Sequence, residues 1–402
     1  MLHFQYQLTI EDLLVLYNEK KIMRKILMAD MFAGCGGFSL GMEKTGFTPW
    51  FVNEIVPEFC STYKFNHNLS DEHYYVGDIR ELNSKIGEYD KILKSIDIVI
   101  GGPPCQGFSM ANRQRIIDDP RNELYKAFLT FLSHVRPKFF VMENVRGMKN
   151  RQEEIYEDIV SYLGNDYQFK SIILQASDFG IPQNRERFII IGNRIGIKIN
   201  DIINKISEEK VDDGFKLKDA LIGLPHIAPK TEKGVPDIDC VESGFTECVF
   251  EYVKNAYYFY INGNKDIKKL YNHKARYNNQ RDIEIFRRLP QGGNSLHDSI
   301  ADIMPYTRRN GIFKDKYFKL EENQVCKTIT SHMKYDCNSY IHPWEARGLS
   351  PREAARIQTF PDDYYFQGGL NQWFAQIGNA VPVKLAEVIG KSIMYFMKGS
   401  KT

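Results

Sequence analysis

The opening stretch "MLHFQYQLTIEDLL" lacks the apolar core of a secretory signal, because acids stand where that core belongs. No apolar run approaches the ~20 residues that span a bilayer, so a membrane protein is not expected. Cysteine pairs are missing too. The seven cysteines at 35, 60, 105, 240, 248, 326 and 337 are odd in number, scattered and without a C-x-x-C pair. That excludes a disulfide framework or zinc cluster as the organising principle and points to a reducing, cytoplasmic setting without metal. Internal repeats and low-complexity tracts are absent. Net charge is small, at +2 for 402 residues, so whole-chain charge argues for no particular partner. Its distribution says more: acids outnumber bases over 231–260, whereas 265–319 is rich in Lys and Arg.

What is present is length enough for a large core and two domains. "LTIEDLLVLYNEK" (8–20) has helical apolar spacing, and Thr9 with Asp12 forms a capping-box start. Apolar strands then alternate with helices. The strands fall at 25–32, 48–53, 96–102, 138–145 and 187–193, the helices at 37–45, 56–66, 121–136 and 151–163. Continuous apolar strands between helices predict an α/β fold, a mostly parallel sheet covered on both faces. Past residue 195 the rhythm breaks into a polar, irregular stretch. Order returns with "LSPREAARIQTF" (349–360), where Ser350 and Glu353 make a capping box with Pro351 in the first turn. A last helix begins near "AVPVKLAEVIG" (380–390). The expected division is a first domain over 1–195, completed by 374–402, and a smaller irregular domain over 196–373.

"DMFAGCGGFSLG" (30–41) ends a strand in a glycine-rich turn and opens a helix. Such a turn admits a ligand close to backbone at the carboxyl end of a sheet. A dinucleotide turn or a plain tight connection also fits, but Ser39 breaks the G-x-G-x-x-G pyrophosphate fingerprint. Glu54 closes the next strand where an acid accepts from a ribose diol. Asp78, at another strand end, suits an adenine amino group. Ribose and adenine recognition without a pyrophosphate turn fits S-adenosylmethionine better than NAD.

"GGPPCQGFS" (101–109) follows the run "IDIVI". Prolines fix the backbone and glycines permit the turn, so Cys105 is held at the mouth of a sheet, a poor place for packing and a good one for a nucleophile. Glu143 stands near the end of "FFVMENV", on the same sheet edge. Arg185 and Arg187 alternate toward one face where a strand begins.

"DMFAGCGGFSLG", "NEI" (53–55), "GDI" (77–79), "GGPPCQGFS", "ENV" (143–145), "QNRERF" (183–188), "LSPREAARIQTFP" (349–361) and "QIGNAVPV" (376–383) together resemble, in order, the motif set of DNA cytosine-5 methyltransferases of the bacterial or phage restriction-modification type. The resemblance spans most of the chain outside roughly 196–325. It implies a Rossmann-like S-adenosylmethionine-dependent methyltransferase domain plus a target-recognition domain, acting on double-stranded DNA as a monomer beside a companion restriction endonuclease. It assigns Cys105 to attack on carbon 6 of a flipped cytosine and Glu143 to ring nitrogen 3 and the 4-amino group. Arg185 would orient Glu143, and Arg187 would reach the cytosine oxygen. Around the cofactor it places Phe32, Gly34, Gly36, Glu54, Asp78, Ile79, Pro104, Leu124 and Asn379. Ile55 departs from relatives that carry an aromatic there. "QGFSMANRQRIIDDPRN" (106–122) would be a mobile lid whose Arg113, Arg115 and Arg121 meet phosphates. "NHKARYNNQRDIEIFRRLPQGGN" (272–294) has the composition of a DNA-facing segment. Rival readings are an enzyme of the same chemistry on transfer RNA, a silent DNA-binding regulator on this fold, and, more distantly, a nicotinamide oxidoreductase.

Overall fold

Burial on both faces of its central strands governs the architecture. The computed structural model describes residues 24–104, 124–233, 238–305 and 316–399. Seven strands form the main sheet: β1 (Ile26–Met31), β2 (Phe47–Glu54), β3 (Tyr74–Val76), β4 (Ile98–Gly101), β5 (Phe139–Val145), β6 (Gln168–Gln175) and, after the short β7 (Gln183–Asn184), β8 (Glu186–Asn193). Their order is β3-β2-β1-β4-β5-β8-β6. The first five run parallel, and β8 is antiparallel to both β5 and β6.

Neighbouring residues on one strand feed different cores, as period-2 alternation requires. Phe140 and Met142 enter one cluster with Phe128, Phe131 and Ile159. Phe139 and Val141 enter the other with Leu385, Ile389 and Ile393. Helices Leu124–Val135 and Gln152–Leu163 thus cover the first face, while Gly37–Glu43, Ile199–Ser207 and the terminal Val383–Gly399 cover the second. A Cβ on Gly41 would strike the Val383 carbonyl, so this glycine lets two helices touch.

The sheet is mostly parallel, as expected. The apolar run of β8 nevertheless belongs to an antiparallel strand: it is apolar because it is interior, not because of its direction. β6 had no sequence signal, since it is an edge strand of mixed polarity, and of the three-residue β3 only its end near Asp78 was legible.

Between β8 and the terminal helix lie two small pairings. β9 (Gly244–Val249) and β10 (Lys269–Lys274) are antiparallel, and β11 (Cys326–Lys327) runs parallel to β7. A third core forms around helices Pro351–Ile357 and Leu370–Asn379. The Ser350–Glu353 capping box is formed with Pro351 in the first turn. Its Glu353 also takes two bonds, of 2.8 and 2.7 Å, from buried Arg347.

Candidate active site

Register places the site. Met31 pairs with Gly101, Gly101 with Met142, and Met31 with Asn53. One residue further, Glu54, Phe32, Gly102 and Glu143 form the next row at the carboxyl ends of β2, β1, β4 and β5. This is the switch point where the chain, having moved outward from β1 to β3, returns to β4, and it is where open α/β sheets bind ligands.

At the β1 end Phe32 adopts a left-handed φ of 58°, followed by Gly34 at +56° and Gly36 at +90°. An aromatic residue there is strained by about 1–3 kcal/mol, a feature concentrated at functional sites. Gly34 donates to Glu54 Oε2 at 2.7 Å, and Val56 N to Glu54 Oε1 at 2.8 Å. Burial pushes the Glu54 pKa up, and these two donors oppose the rise. A Cβ on Gly34 would meet nothing within 4 Å, so the turn faces open space. Gly36 has a different duty. Its missing side chain leaves room for His67 and Tyr364. His67 bridges Glu43 (2.6 Å) and the Tyr364 hydroxyl (3.1 Å), and that hydroxyl donates to the Cys35 carbonyl.

At β3, Asn53 donates to the carbonyls of Tyr75 (3.0 Å) and Gly77 (2.9 Å), which fixes the turn into Asp78. Asp78 caps helix Ile79–Ser84, and its carboxylate is held by Arg80, which lowers its pKa. Ile79 points into the core, so only its backbone is available to a ligand. Leu124 packs beside the same core, whereas Pro104 and Asn379 are exposed.

Glu143 is 9% exposed, and Gly102 lies so near that a Cβ there would sit 3.1 Å from Glu143 Oε2. The neighbouring Asn144 donates to the Pro103 carbonyl at 2.8 Å, tying "ENV" to the loop that leads to Cys105. Arg187 Nε stands 2.5 Å from Glu143 Oε1. Burial lowers the Arg187 pKa and the Glu143 charge opposes the fall. Here the structure corrects the sequence reading: Arg187, not Arg185, pairs with Glu143. The register explains why, because Glu143 lies opposite Ile189 and Val145 opposite Arg187, so Arg185 is a further pair away. Arg185, 1% exposed, donates instead to the carbonyls of Ile329 (2.6 Å), Gly378 (3.2 Å) and Ala380 (2.9 Å). It staples "TITS" (328–331) to the segment bearing Asn379.

Several contributors lie in the quoted motifs, yet the sequence reading gave them no role. Gln183 binds Ile329 N and the Gln358 carboxamide, and Gln358 in turn binds Ile377 O. A Cβ on Gly378 would overlap the backbone of Thr330 and Ser331. Asn53, Asn144, His67 and Gln183 act through backbone that only the fold brings near.

Cys105, the stretch 106–122 with Arg113, Arg115 and Arg121, and the helix expected at 8–20 lie outside the described residues. Among the described cysteines, burial pushes the thiols of Cys35, Cys326 and Cys337 up to about 12 and that of Cys60 to about 11, so these remain protonated near neutral pH. Among the described residues no group of His, Cys, Asp or Glu is arranged to hold a metal, and no helix is long and apolar enough to cross a membrane.

Comparison with known proteins bears on this site directly. The C-5 cytosine-specific DNA methylase family matches residues 26–395. The chain is 31% identical over 393 residues to the type II methyltransferase M.DdeI of Desulfomicrobium norvegicum, covering 92% of this chain and 88% of the relative. It is 30% identical over 400 residues to M1.HphI of Haemophilus parahaemolyticus, at 95% and 92% coverage. Among solved structures, an E. coli prophage-encoded protein described as a DNA modification methyltransferase superposes with a TM-score of 0.71 at 27% identity, over 93% of this chain and 99% of that one. Schizosaccharomyces pombe Dnmt2 shares the fold, with a TM-score of 0.54 at 14% identity over 94% and 100%. With the family matched across nearly the whole described sheet and its site row, the chain belongs to the C-5 cytosine-specific DNA methylases.

Proposed function

We propose that this chain methylates carbon 5 of a cytosine within a short specific sequence of duplex DNA, using Cys105 as nucleophile and S-adenosylmethionine as methyl donor. The observation that carries this reading is the row of Glu54, Phe32, Gly102 and Glu143, with Arg187 on Glu143. It sets a ribose-type acceptor and a buried carboxylate on one sheet edge, flanking the loop toward Cys105.

The residues present fit the cofactor. Phe32, Gly34 and Gly36 shape a turn open toward solvent at Gly34. Glu54 keeps lone pairs for a diol, the Ile79 N–H serves adenine, and Pro104, Leu124 and exposed Asn379 complete the surround. Asp78 serves the adenine amino group while also holding Arg80. When bound, S-adenosylmethionine supplies an electrophilic methyl group.

The protein's own groups do the rest. A cytosine inside a duplex hides carbon 6, so the base must be flipped into the site, which costs a few kcal/mol. The Cys105 thiolate adds to carbon 6 and makes carbon 5 an enamine nucleophile, and a thiolate is also a good leaving group later. Glu143, held by Arg187, accepts from the 4-amino group and, carrying a proton, passes it to ring nitrogen 3, which neutralises the negative charge the thiolate brings, and takes it back on elimination. After methylation the carbon-5 proton passes to bound water or hydroxide, and expulsion of Cys105 restores the ring. Residues 1–195 with 374–402 form the catalytic domain in this reading and 196–373 the target-recognition domain. The helix Ile199–Ser207 packs on the catalytic core through Ile202 and Ile206.

The test is incubation with genomic DNA and S-adenosylmethionine, followed by bisulfite mapping. Wild type yields 5-methylcytosine in one recurring motif. Cys105→Ala binds cofactor normally and yields none, and Cys105→Ser loses most activity because an alkoxide is hard to generate near pH 7. Normal turnover by Cys105→Ala would overturn the nucleophile assignment.

A further inference from the structure

Three side chains from three distant segments meet behind the glycine turn. Glu43 ends helix Gly37–Glu43, His67 caps the carboxyl end of helix Pro57–Asn66, and Tyr364 follows helix Pro351–Ile357. His67 and Tyr364 are each only 3% exposed, so their polar atoms must find partners inside the protein. Both press on the turn itself, because a Cβ on Gly36 would stand 2.4 Å from His67 Nε2 and 2.9 Å from the Tyr364 hydroxyl.

Counting protons shows what the trio does. The Tyr364 hydroxyl donates to the Cys35 carbonyl, which can only accept. Its one proton is thereby spent, and burial retains that proton by pushing the Tyr364 pKa well up. His67 Nε2, 3.1 Å from the same oxygen, must therefore be the donor and carry a hydrogen. The opposite nitrogen, Nδ1, stands 2.6 Å from Glu43 Oε2. Two bare acceptors do not approach so closely, so one proton lies between them. The direction of the chain is thus set: Glu43 orients His67, His67 orients Tyr364, and Tyr364 holds the Cys35 carbonyl. Tyr63 stacks on the imidazole, with ring centres 4.1 Å apart, and fixes its plane.

Cys35 has a second anchor, its thiol donating to the Gln376 carbonyl at 3.6 Å. Its neighbour Gly34 gives its N–H to Glu54 Oε2 at 2.7 Å. A carbonyl pinned inward at Cys35 therefore leaves Gly34 facing open space with Glu54 in its grip. The residues behind the turn decide how its front is presented.

We propose that Glu43, His67 and Tyr364 are positioning residues for the cofactor, a hydrogen-bond relay that holds the glycine turn in its binding shape. The proposal rests on the S-adenosylmethionine reading above and extends it to residues behind the turn. Calorimetric titration with S-adenosylmethionine, thermal melts and initial rates over a range of cofactor concentrations test it in Tyr364→Phe, Glu43→Ala and Glu43→Gln. Phe keeps the ring but leaves the Cys35 carbonyl and His67 Nε2 without the hydroxyl. Gln, unlike Ala, donates an amide N–H to Nδ1 and so keeps the relay's direction without a charge. In Tyr364→Phe and Glu43→Ala the cofactor Kd and KM should rise roughly 5- to 30-fold, as for a buried hydrogen bond left unmade. Their kcat should stay within about twofold of wild type, the pattern of lost binding alone. Glu43→Gln should restore most of the affinity. Wild-type affinity in a folded Tyr364→Phe overturns the proposal. So does a fall in kcat at unchanged KM, or a Glu43→Gln as weak as Glu43→Ala, which would make charge the working feature. Loss of a cooperative melt in both Tyr364→Phe and Glu43→Gln overturns it too, because a general structural role would then suffice. If wild type itself takes up no S-adenosylmethionine, the cofactor reading fails and the relay falls with it.

Discussion

Burial at the end of β1 lifts the Asp30 pKa from 3.8 to about 7, with Glu54 and Glu43 adding to the rise and the Ser39 hydroxyl, 2.7 Å away, opposing it. Between about pH 4 and 7 the folded chain therefore keeps a proton that the unfolded chain has released, and stability falls as pH rises through that window. At 1.36 kcal/mol per pH unit, ionised Asp30 costs the fold roughly 4 kcal/mol at pH 8. Asp30→Asn keeps an oxygen for Ser39 and removes the charge. Its melting temperature should exceed wild type at pH 8, with the gap closing toward pH 4; a gap independent of pH would refute the assignment. Glu143 makes the complementary case. Glu143→Gln preserves shape but has no acid proton to pass to ring nitrogen 3, so single-turnover methyl transfer should drop roughly 10²–10³-fold while cofactor titration stays unchanged. A few-fold drop would remove the charge-stabilising role. The positions of Glu54, Asp78 and Glu143 at or beside strand ends were legible because each follows or closes an apolar run. The partner of Glu143 was not, because choosing between Arg185 and Arg187 needs the β5–β8 register.

Elements follow the same division. The capping box at Ser350 was readable because it is written in four consecutive residues. The direction of β8 was not, since an apolar run reports burial on both faces whichever way the strand points. Contacts between distant segments were silent as well. Helix Leu370–Asn379 meets "TITS" where Gly378 has no Cβ, and Arg185 closes that seam with bonds to Ile329, Gly378 and Ala380. Gly378→Ala would press a methyl onto the backbone of Thr330 and Ser331, which cannot rotate away as a side chain would. Overpacking of this kind typically destabilises by about 1–3 kcal/mol. The expected result is a melting temperature several degrees lower and a weaker cofactor affinity, since Asn379 is next in sequence. A variant that melts and titrates like wild type would show that the seam opens without strain.

At the scale of the whole molecule, the sheet is completed by residues far from it in sequence. The terminal helix buries Leu385, Ala386, Ile389 and Ile393 fully against Met28, Ile98, Ile100 and Val141 on the sheet's second face. Three of these four are large aliphatics, each stabilising by about 1.5–3 kcal/mol on full burial, so their sum, roughly 5–9 kcal/mol, rivals the about 5–15 kcal/mol that holds a typical protein folded. The helix also covers Gly41 and, through Lys384 N, donates a 2.9 Å bond to the Thr359 hydroxyl oxygen. A chain ending at residue 379 would therefore keep every residue of the site row and still lose the site. It should show no cooperative melt and no cofactor binding, and adding residues 380–402 as a separate peptide should restore some of both. A cooperative transition close to that of the intact chain would mean that the second face is closed by something other than this helix.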